Sequence, residues 1–367
     1  MTAAAVRELV LRHPTGETSI RVGQGALAGA GPPLAAWVAG RALFVVSDPR
    51  VLALHGAALA PLQEAARRTT VLEVPQGEAA KTLATAESLW SRMLEAGGKR
   101  DSRLVAFGGG SVGDLAGFAA GCFLRGIELA QLPTTLLAQA DAAIGGKTAV
   151  DLAAAKNSVG VFHHPALVIA DTDFLRTLPA EELRSGLVEV IKMAALIDPP
   201  LLTRVEGDLE RLLAGDSRAL APVAAAGAAA KVAIVERDPD ERGARRVLNF
   251  GHTLGHAIEA ELGYRGLRHG EAVAYGILFA LRLARRRGLA DGDAERLRGL
   301  LRRLGLPPLP RLDPAGLGTR IGRDKKALET GVEWVLPAAI GEPRVASVPA
   351  AEVAAELAVF LADPFAP

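Results

Sequence analysis

The sequence has one cysteine, almost no net charge and no stretch that we expect to cross a membrane, and each shortage excludes a class of protein. Cys122 stands alone among 367 residues, which excludes an intrachain disulfide framework and indicates a reducing compartment. The formal net charge is +1 and the charges are dispersed, so no basic face for nucleic acid or an anionic membrane is expected. The apolar stretch that begins at Ala272 ends at Arg282, too short to span a bilayer.

The amino-terminal residues and the composition narrow the class further. Residues 1–12 mix Arg7, Glu8 and Arg12 with apolar side chains, which is not the pattern of a secretory signal. We therefore expect a cytoplasmic protein with no nucleic-acid or membrane partner. Half of the residues are hydrophobic and 23% are charged, which is typical of a globular protein, and the length favours two domains.

The first half of the chain alternates short apolar runs with helical patterns, which is typical of parallel βαβ units. Ala86, Leu89 and Met93, for example, recur at helical spacing within the predicted helix 83–96. Alternating apolar and polar residues on either side of Pro14-Thr15-Gly16 predict a hairpin. The further predicted strands are 42–47, 70–75, 103–107, 129–133 and 167–171. Residues 1–178 are therefore predicted to form a Rossmann-like, nucleotide-binding α/β domain.

The second half is predicted to be a mostly α-helical domain over residues 179–367. Pro179, followed by Glu181 and Glu182, suits the start of a helix, because proline and acidic residues are favoured in a first turn. The predicted helices are 181–197, 219–236, 251–262, 270–287 and 293–305. Near the end, 332–336 and 344–348 predict two strands around Gly341.

Two glycine-rich segments suit a phosphorylated ligand. Gly108-Gly109-Gly110-Ser111 follows a predicted strand directly and opens a helix, where free N–H groups and close backbone approach favour a phosphate. A tight turn without a ligand explains this segment about as well. Residues 141–148 form a second polar, glycine-rich segment that carries Lys147, and a solvated connection is its alternative.

Glu189 and Lys192 share one face of a predicted helix among apolar neighbours, because they stand three residues apart. A partly exposed ion pair is the simplest interpretation of this pair. A functional role for this pair is the alternative, and it is favoured only when the histidines farther along the chain are considered as well.

Histidines gather in the same half of the chain. His252 and His256 are four apart on a predicted helix, and His269 follows in a loop-like segment. Two or three imidazoles and a carboxylate can bind a divalent metal such as zinc with a position open for substrate. Spacing alone does not select the carboxylate among Glu189, Glu259 and Glu271, or exclude one of the histidines.

Taken together, many short blocks resemble the 3-dehydroquinate synthase family in order and spacing, over roughly residues 42–341. The matching blocks are Gly108 to Gly110, Asp114 to Phe118, Leu124 to Ile127, Pro133 to Gln139, Gly145 to Thr148, Lys156-Asn157, Asp171, Thr177 to Pro179, Glu189 to Lys192, Leu248 to Thr253, Gly255 to Glu259, His269 to Val273 and Asp324 to Lys326.

The resemblance implies a dehydroquinate synthase-like fold, a homodimer, NAD and a divalent metal, zinc or cobalt. The substrate would lie between the domains. The implied reaction converts 3-deoxy-D-arabino-heptulosonate 7-phosphate, a phosphorylated sugar acid of the shikimate pathway, to 3-dehydroquinate and phosphate. It proceeds by transient oxidation, phosphate elimination, reduction and aldol cyclisation, which makes the enzyme a carbon-oxygen lyase.

The same resemblance implies roles for individual residues. The metal ligands would be Glu189, His252 and His269, with His256 as a substrate contact. The cofactor would contact Asp48, Glu78, Lys81, Gly109, Gly110, Asp114, Thr134, Thr135, Asp141, Lys147 and Lys156. The substrate would contact Lys147, Asn157, Lys192, Lys231, Arg245, Asn249, His256, Lys325 and Lys326, with Arg125 from a partner subunit. Such a set of cations suits a substrate that carries both a phosphate and a carboxylate.

The sequence departs from the family in one loop. Before Lys156 the family usually has a proline and a glycine, whereas this chain has Ala153-Ala154-Ala155, so the turn that presents Lys156 and Asn157 differs. Three other functions stay open: a different sugar phosphate cyclase, a metal-dependent polyol dehydrogenase of the same fold, and a nucleotide-binding regulatory subunit. The dehydrogenase would not need so many cations.

Overall fold

A computed structural model describes residues 6–152, 155–289, 291–322, 327–328 and 331–366. The chain divides into two compact units. The first comprises Met1–Pro179 and Ala214–Asp240, and the second comprises Ala180–Leu213 and Glu241–Pro367. The predicted domains, 1–178 and 179–367, stay a prediction.

The strands in chain order are β1 Arg7–His13, β2 Gly16–Gly23, β3 Ala42–Ser47, β4 Arg68–Glu73, β5 Arg103–Gly108, β6 Glu128–Pro133, β7 Lys147–Leu152, β8 Ala155–Phe162, β9 Leu167–Asp171, β10 Ala327–Leu328, β11 Gly331–Ala339 and β12 Glu342–Val348. The helices are α1 Ala26–Val38, α2 Pro49–His55, α3 Ala60–Ala65, α4 Leu83–Glu95, α5 Gly110–Cys122, α6 Ala180–Ile197, α7 Pro199–Leu213, α8 Ser217–Arg237, α9 His252–Glu261, α10 His269–Arg285, α11 Asp291–Arg303, α12 Pro314–Gly322 and α13 Ala350–Ala362.

The first unit is built on a seven-stranded sheet in the order β1-β2-β9-β6-β5-β3-β4. The hairpin β1-β2 is antiparallel, and the remaining neighbours are parallel. The predicted hairpin and the five further predicted strands are confirmed, with β4 beginning two residues earlier than expected. Alternate residues of β3 pack on opposite faces, with Phe44 and Val46 toward α4 and α5, and Leu43 and Val45 toward α1 and α3. Burial on both faces explains why this strand is continuously apolar.

Helix α8 packs against β1 and β2 and so lies in the first unit, although it follows the predicted boundary. By length and composition it is the one helix of the described residues that can cross a membrane, and the sequence analysis overlooked it. Within the protein, however, 72% of its apolar window is buried, as in the core helix of a globular fold.

A second hairpin, β7-β8, was not predicted. The sequence predicts a polar, glycine-rich segment over residues 141–148, with a solvated connection as the alternative, whereas Lys147 pairs with Phe162 at the first register position of this antiparallel ladder. Gly160 lets the strands approach, since a Cβ there would lie 2.2 Å from the carbonyl oxygen of Thr148. Residues 153–154, which include most of the Ala153–Ala155 departure, lie outside the described residues.

The second unit contains the helices α6, α7 and α9 to α13 and the small antiparallel sheet β10-β11-β12. The predicted helices and the two carboxy-terminal strands are confirmed, whereas α7, α12 and α13 were not predicted. Helices α9 and α10 pack very closely, because a Cβ on Gly276 would lie 1.8 Å from the carbonyl oxygen of Gly251. This close packing brings His252 and His269, the first residues of the two helices, near each other.

Candidate active site

In the first unit, the carboxyl ends of three adjacent strands collect polar and glycine residues. Asp48 follows β3, Gly109 follows β5, and Thr134 follows β6. In the sheet, β4 lies on one side of β3 and β5 lies on the other, so the strand order reverses between β3 and β5. Ligands of open α/β sheets bind at such a switch point, outside the carboxyl ends of the strands.

The glycine-rich turn at this edge suits a phosphate. Gly109 precedes the first residue of α5, and no side chain caps the helix. A Cβ on Gly108 would lie 2.8 Å from Val112, and one on Gly109 would lie 3.0 Å from Thr135, so both positions require glycine or a local shift. The first N–H groups of the helix are thus approachable by a pyrophosphate. The side chain of Asp48, in contrast, accepts hydrogen bonds from the first turn of α2.

A charged cluster surrounds Lys81, which is 2% exposed. Its Nζ lies 2.8 Å from Asp114 Oδ2 and 3.6 Å from Glu78 Oε1, and it also donates to Asn157 Oδ1. Lys156 Nζ lies 3.2 Å from the same Glu78 oxygen. The structure therefore brings five predicted ligand-binding residues into one cluster.

The charges in this cluster shift one another. Burial alone lowers the pKa of Lys81, but Asp114 and Glu78 reverse this effect and raise its pKa to about 12. Burial raises the pKa of Asp114 above its usual value, although Lys81 opposes the shift. For Glu78, burial is outweighed by the charges of Lys81 and Lys156, so its pKa is lowered. Lys81 thus stays charged and holds its acidic neighbours in place.

Other predicted residues of the first unit have contacts of their own. Lys231 on α8 pairs with Asp141, so a predicted substrate residue and a predicted cofactor residue contact each other. The first residue of β7, Lys147, is exposed, as is Arg125 after α5.

In the second unit, Glu189, His252 and His269 converge from α6, α9 and α10. Nε2 of each imidazole lies 3.8 Å from Glu189 Oε1. Their ligand atoms lie within 4.8 Å of one another, the separation expected around one metal ion. Glu189 and Lys192 form an ion pair and are both 1% exposed, so the interpretation as a partly exposed pair is wrong.

The chemistry of these atoms fits a cation. His252 Nδ1 lies 3.1 Å from the carbonyl oxygen of Phe250, and a carbonyl only accepts, so this nitrogen donates and Nε2 is left as an acceptor. Glu189 Oε1 and Oε2 are buried without hydrogen-bond geometry to any described donor, despite the ion pair with Lys192. The ion pair with Lys192 is formed by Oε2, whereas Oε1 is the oxygen that faces the two imidazoles. A buried carboxylate that faces imidazole lone pairs is stabilised by a metal ion.

The two imidazoles differ electrostatically. Burial lowers the pKa of His252 well below its usual value, and the positive charge of Lys192 lowers it further. Burial also disfavours protonation of His269, but the hydrogen bond and charge of Glu259 outweigh it, and its pKa is raised. Because a metal ligand must be deprotonated, a cation at this position would compete with the proton of His269.

His256 is exposed and lies near both other rings, with a centroid distance of 5.2 Å to His252. Together with Glu259 and His269 it makes a second group of possible ligands, so geometry alone leaves two arrangements. In the first group, the buried carboxylate oxygens of Glu189 accept no hydrogen bond from a donor in the described part of the chain, which favours Glu189 as the ligand.

Two other predicted substrate residues lie just before α9. Arg245 is 1% exposed, so it is not a solvated surface charge. Its neighbour Arg246 is partly exposed and pairs with Glu333. Asn249 Nδ2 lies 3.2 Å from Glu241 Oε1. The predicted residues Lys325 and Lys326 lie outside the described part of the chain.

The fold, an α/β unit with a glycine turn and a second, mostly helical unit, is that of the dehydroquinate synthase-like enzymes. The chain superposes on 2-deoxy-scyllo-inosose synthase, solved with carbaglucose-6-phosphate, NAD+ and Co2+, with TM-score 0.88 and 27% identity, covering 96% of this chain and 99% of that one. For the 2-epi-5-epi-valiolone synthase of Streptomyces hygroscopicus, solved with NAD+ and Zn2+, the values are 0.85 and 27%, with 99% of each chain covered. An iron-containing alcohol dehydrogenase of Thermotoga maritima, at 15% identity and TM-score 0.68, shares the fold alone.

Sequence comparison is more specific. The models of the 3-dehydroquinate synthase N-terminal and C-terminal families match residues 71–185 and 186–327. The 3-dehydroquinate synthase of Xanthomonas axonopodis pv. citri is 46% identical over 352 residues, covering 93% of this chain and 94% of that protein. The 3-dehydroquinate synthase of Symbiobacterium thermophilum is 48% identical over 307 residues, covering 82% and 86%. The chain therefore belongs to the 3-dehydroquinate synthase family, and the predicted family and fold class are confirmed.

Sequence reasoning missed three residues that contact the predicted ones. Ser111 donates to Glu78, and Asp151 accepts from the backbone N–H of Asn157. Glu259, considered only as a ligand, contacts the far side of His269. A signal existed for Glu259, because it stands seven residues after His252 on one helix face.

Proposed function

We propose that this chain is an NAD- and metal-dependent lyase that converts 3-deoxy-D-arabino-heptulosonate 7-phosphate to 3-dehydroquinate and phosphate. The observation that carries the proposal is the group of buried Glu189 and partly buried His252 and His269 beside Lys192, in a chain 46% identical to a 3-dehydroquinate synthase over 93% of its length. A cytoplasmic biosynthetic enzyme also fits the single cysteine.

NAD is assigned to the first unit and the metal to the second. The related cyclases solved with NAD+ and with Co2+ or Zn2+ support both groups and leave zinc and cobalt as equal candidates. The glycine turn at Gly109 and the Lys81 cluster suit the anionic and ribose parts of a dinucleotide. When bound, NAD supplies a reversible hydride acceptor, and the metal supplies a Lewis acid for the substrate oxygens.

The residues of the second unit suit the charge changes of this reaction. The ammonium group of buried Lys192 is held beside Glu189, where it can stabilise negative charge that develops on a substrate oxygen. The buried guanidinium of Arg245 can bind a carboxylate through two parallel hydrogen bonds. Exposed His256 is accessible to a substrate, and an imidazole can exchange a proton with it. The roles of the other predicted substrate residues stay predictions.

The cofactor should turn over without being consumed. Incubation with the seven-carbon acid phosphate, NAD and Zn2+ is expected to release phosphate and cyclic product with no net NADH, because the oxidation is reversed within each turnover. Phosphate release and absorbance at the NADH wavelength are followed together. NADH that accumulates in step with product would contradict the proposal and favour the dehydrogenase, while turnover only of a neutral sugar phosphate would favour another cyclase.

We also propose that the protein is a homodimer, on separate observations. Leu124 and Arg125 are both exposed and both left-handed, at φ 50° and 69°, a conformation that costs free energy in non-glycine residues. Phe162, which is 50% exposed, follows Val161, whose side chain packs at Gly121 near this turn. An apolar surface beside a strained, outward arginine suits a contact with a second copy of the chain.

Arg125 is then expected to act in the partner's site. Mixing the inactive variants Arg125→Ala and Lys192→Ala should restore part of the activity, because a heterodimer keeps one site with both native residues. Each variant alone, taken through the same mixing procedure, provides the control. If subunit exchange is demonstrated by mass spectrometry and activity stays absent, Arg125 does not act across the interface.

A further inference from the structure

We propose that Glu259 is a positioning residue for the metal group, which orients the ring of His269 so that its Nε2 faces Glu189. The inference rests on the metal of the proposed function, but it concerns a residue to which that function assigns no role. Two observations carry it: the contacts of His269 on both ring nitrogens, and the burial of Glu259.

The geometry uses both sides of the imidazole. Nδ1 of His269 lies 3.1 Å from Glu259 Oε2, and Nε2 lies 3.8 Å from Glu189 Oε1. An ionised carboxylate only accepts hydrogen bonds, so the Nδ1–H donates to Glu259 and the lone pair of Nε2 points toward Glu189. The contact therefore selects one tautomer and one ring orientation together.

Glu259 is well placed to hold the ring rigidly. It is 5% exposed, and it projects from α9, whereas His269 is the first residue of α10. The close packing of Gly276 against Gly251 keeps these two helices at a fixed separation. His252 has a weaker counterpart, because its Nδ1 donates to the neutral carbonyl of Phe250, 3.1 Å away. The Nδ1–H of His269 thus donates to a carboxylate, whereas the Nδ1–H of His252 donates to a neutral carbonyl.

The charge of Glu259 should matter as well as its shape. A carboxylate that accepts from an imidazole N–H increases electron density on the other nitrogen and so strengthens its bond to a metal. The alternative is that Glu259 is itself a ligand with His256 and His269, which form a group of their own. The two roles differ in what happens when the charge is removed and the shape is kept.

The test is Zn2+ affinity of the full chain, measured by competition with a chromogenic chelator. Glu259→Ala is expected to weaken Zn2+ binding by about 10- to 100-fold, the range seen when such an outer partner of a metal ligand is lost. Glu259→Gln retains an acceptor for the Nδ1–H and should recover most of that loss, to within roughly tenfold of the unmodified chain. The number of metal ions bound per chain should be the same in all variants.

Glu261→Ala is the matched control. Glu261 stands two residues after Glu259 on the same helix, and its carboxylate forms an ion pair of 2.6 Å with Arg320 rather than with His269. The substitution therefore removes a carboxylate of the same helix without removing the contact to His269. This variant should bind Zn2+ as the unmodified chain does. Thermal unfolding without metal separates loss of fold from loss of affinity, and a metal-free Glu259→Ala chain should unfold within a few degrees of the Glu261→Ala chain.

Three results would overturn the inference. Zn2+ affinity of Glu259→Ala within twofold of the unmodified chain means that the contact does not orient a ligand, and the proposed function then stands unaffected. Equal and complete loss of zinc in Glu259→Ala and Glu259→Gln means that Glu259 is a ligand. An unmodified chain that binds no divalent metal overturns the inference and the proposed metal dependence together.

Discussion

Replacing His252 with alanine is expected to abolish metal binding and to lower kcat/KM by on the order of a thousandfold, because Lewis-acid stabilisation is worth several kcal/mol. His269→Ala should behave in the same way, since both Nε2 atoms face Glu189 at 3.8 Å. Metal content after dialysis, measured by atomic emission, and kcat/KM at saturating NAD are the two measurements.

His256→Ala is the control for this pair. It removes an imidazole of the same cluster from an exposed position, so the metal should be retained while turnover of the substrate falls. The assignment fails if His256→Ala loses its metal and His252→Ala keeps it, because the ligand set would then be the second group of His256, Glu259 and His269.

Arg245→Ala is expected to lower kcat/KM by about one to two orders of magnitude, because a charge-assisted hydrogen bond to the substrate carboxylate is worth roughly 1.5 to 3 kcal/mol. The guanidinium is 1% exposed, so its planar fork is oriented by its surroundings rather than by solvent. The loss should be much smaller for a substrate analogue that lacks the carboxylate. The informative quantity is the ratio of the two losses, measured as kcat/KM for both compounds.

The neighbouring Arg246→Ala is the matched control for Arg245. Arg246 has the same charge, but it is partly exposed and pairs with Glu333, so its removal should change kcat/KM for both compounds slightly and equally. Equal losses in Arg245→Ala on the two compounds would assign this residue to the phosphate or to the fold. Activity close to that of the unmodified chain would leave it without a role in catalysis.

The sequence predicted the elements that have a strong local signal. Each of the predicted parallel strands is a short β-branched or apolar run, and β3 is apolar throughout because the sheet is buried on both faces. Helices such as α6 and α10 have a clear period and were placed within two residues. In contrast, α7 was missed although its apolar face is regular, and β7-β8 was missed because polar and glycine residues interrupt its alternation.

For the candidate site, too, the sequence predicted some features and not others. Residue types and spacing were enough to nominate His252, His256 and His269, and resemblance selected Glu189 as their carboxylate. Sequence alone did not distinguish an exposed ion pair at Glu189 and Lys192 from a buried one, because three-residue spacing is the same in both. It also did not place α8, whose packing on β1 and β2 joins residues more than 190 positions apart.

By itself, the sequence determined the family, most of the strands and helices along the chain, and the set of residues with the right chemistry. Only the tertiary structure decided which of these residues contact one another. Local patterns encode the period of a helix or strand, whereas the contact between Glu259 and His269 depends on how closely α9 and α10 pack. Gly251 and Gly276 allow this close packing, because a Cβ on Gly276 would collide with the carbonyl oxygen of Gly251. A contact between two residues far apart in the sequence produces no periodic pattern from which it could be predicted.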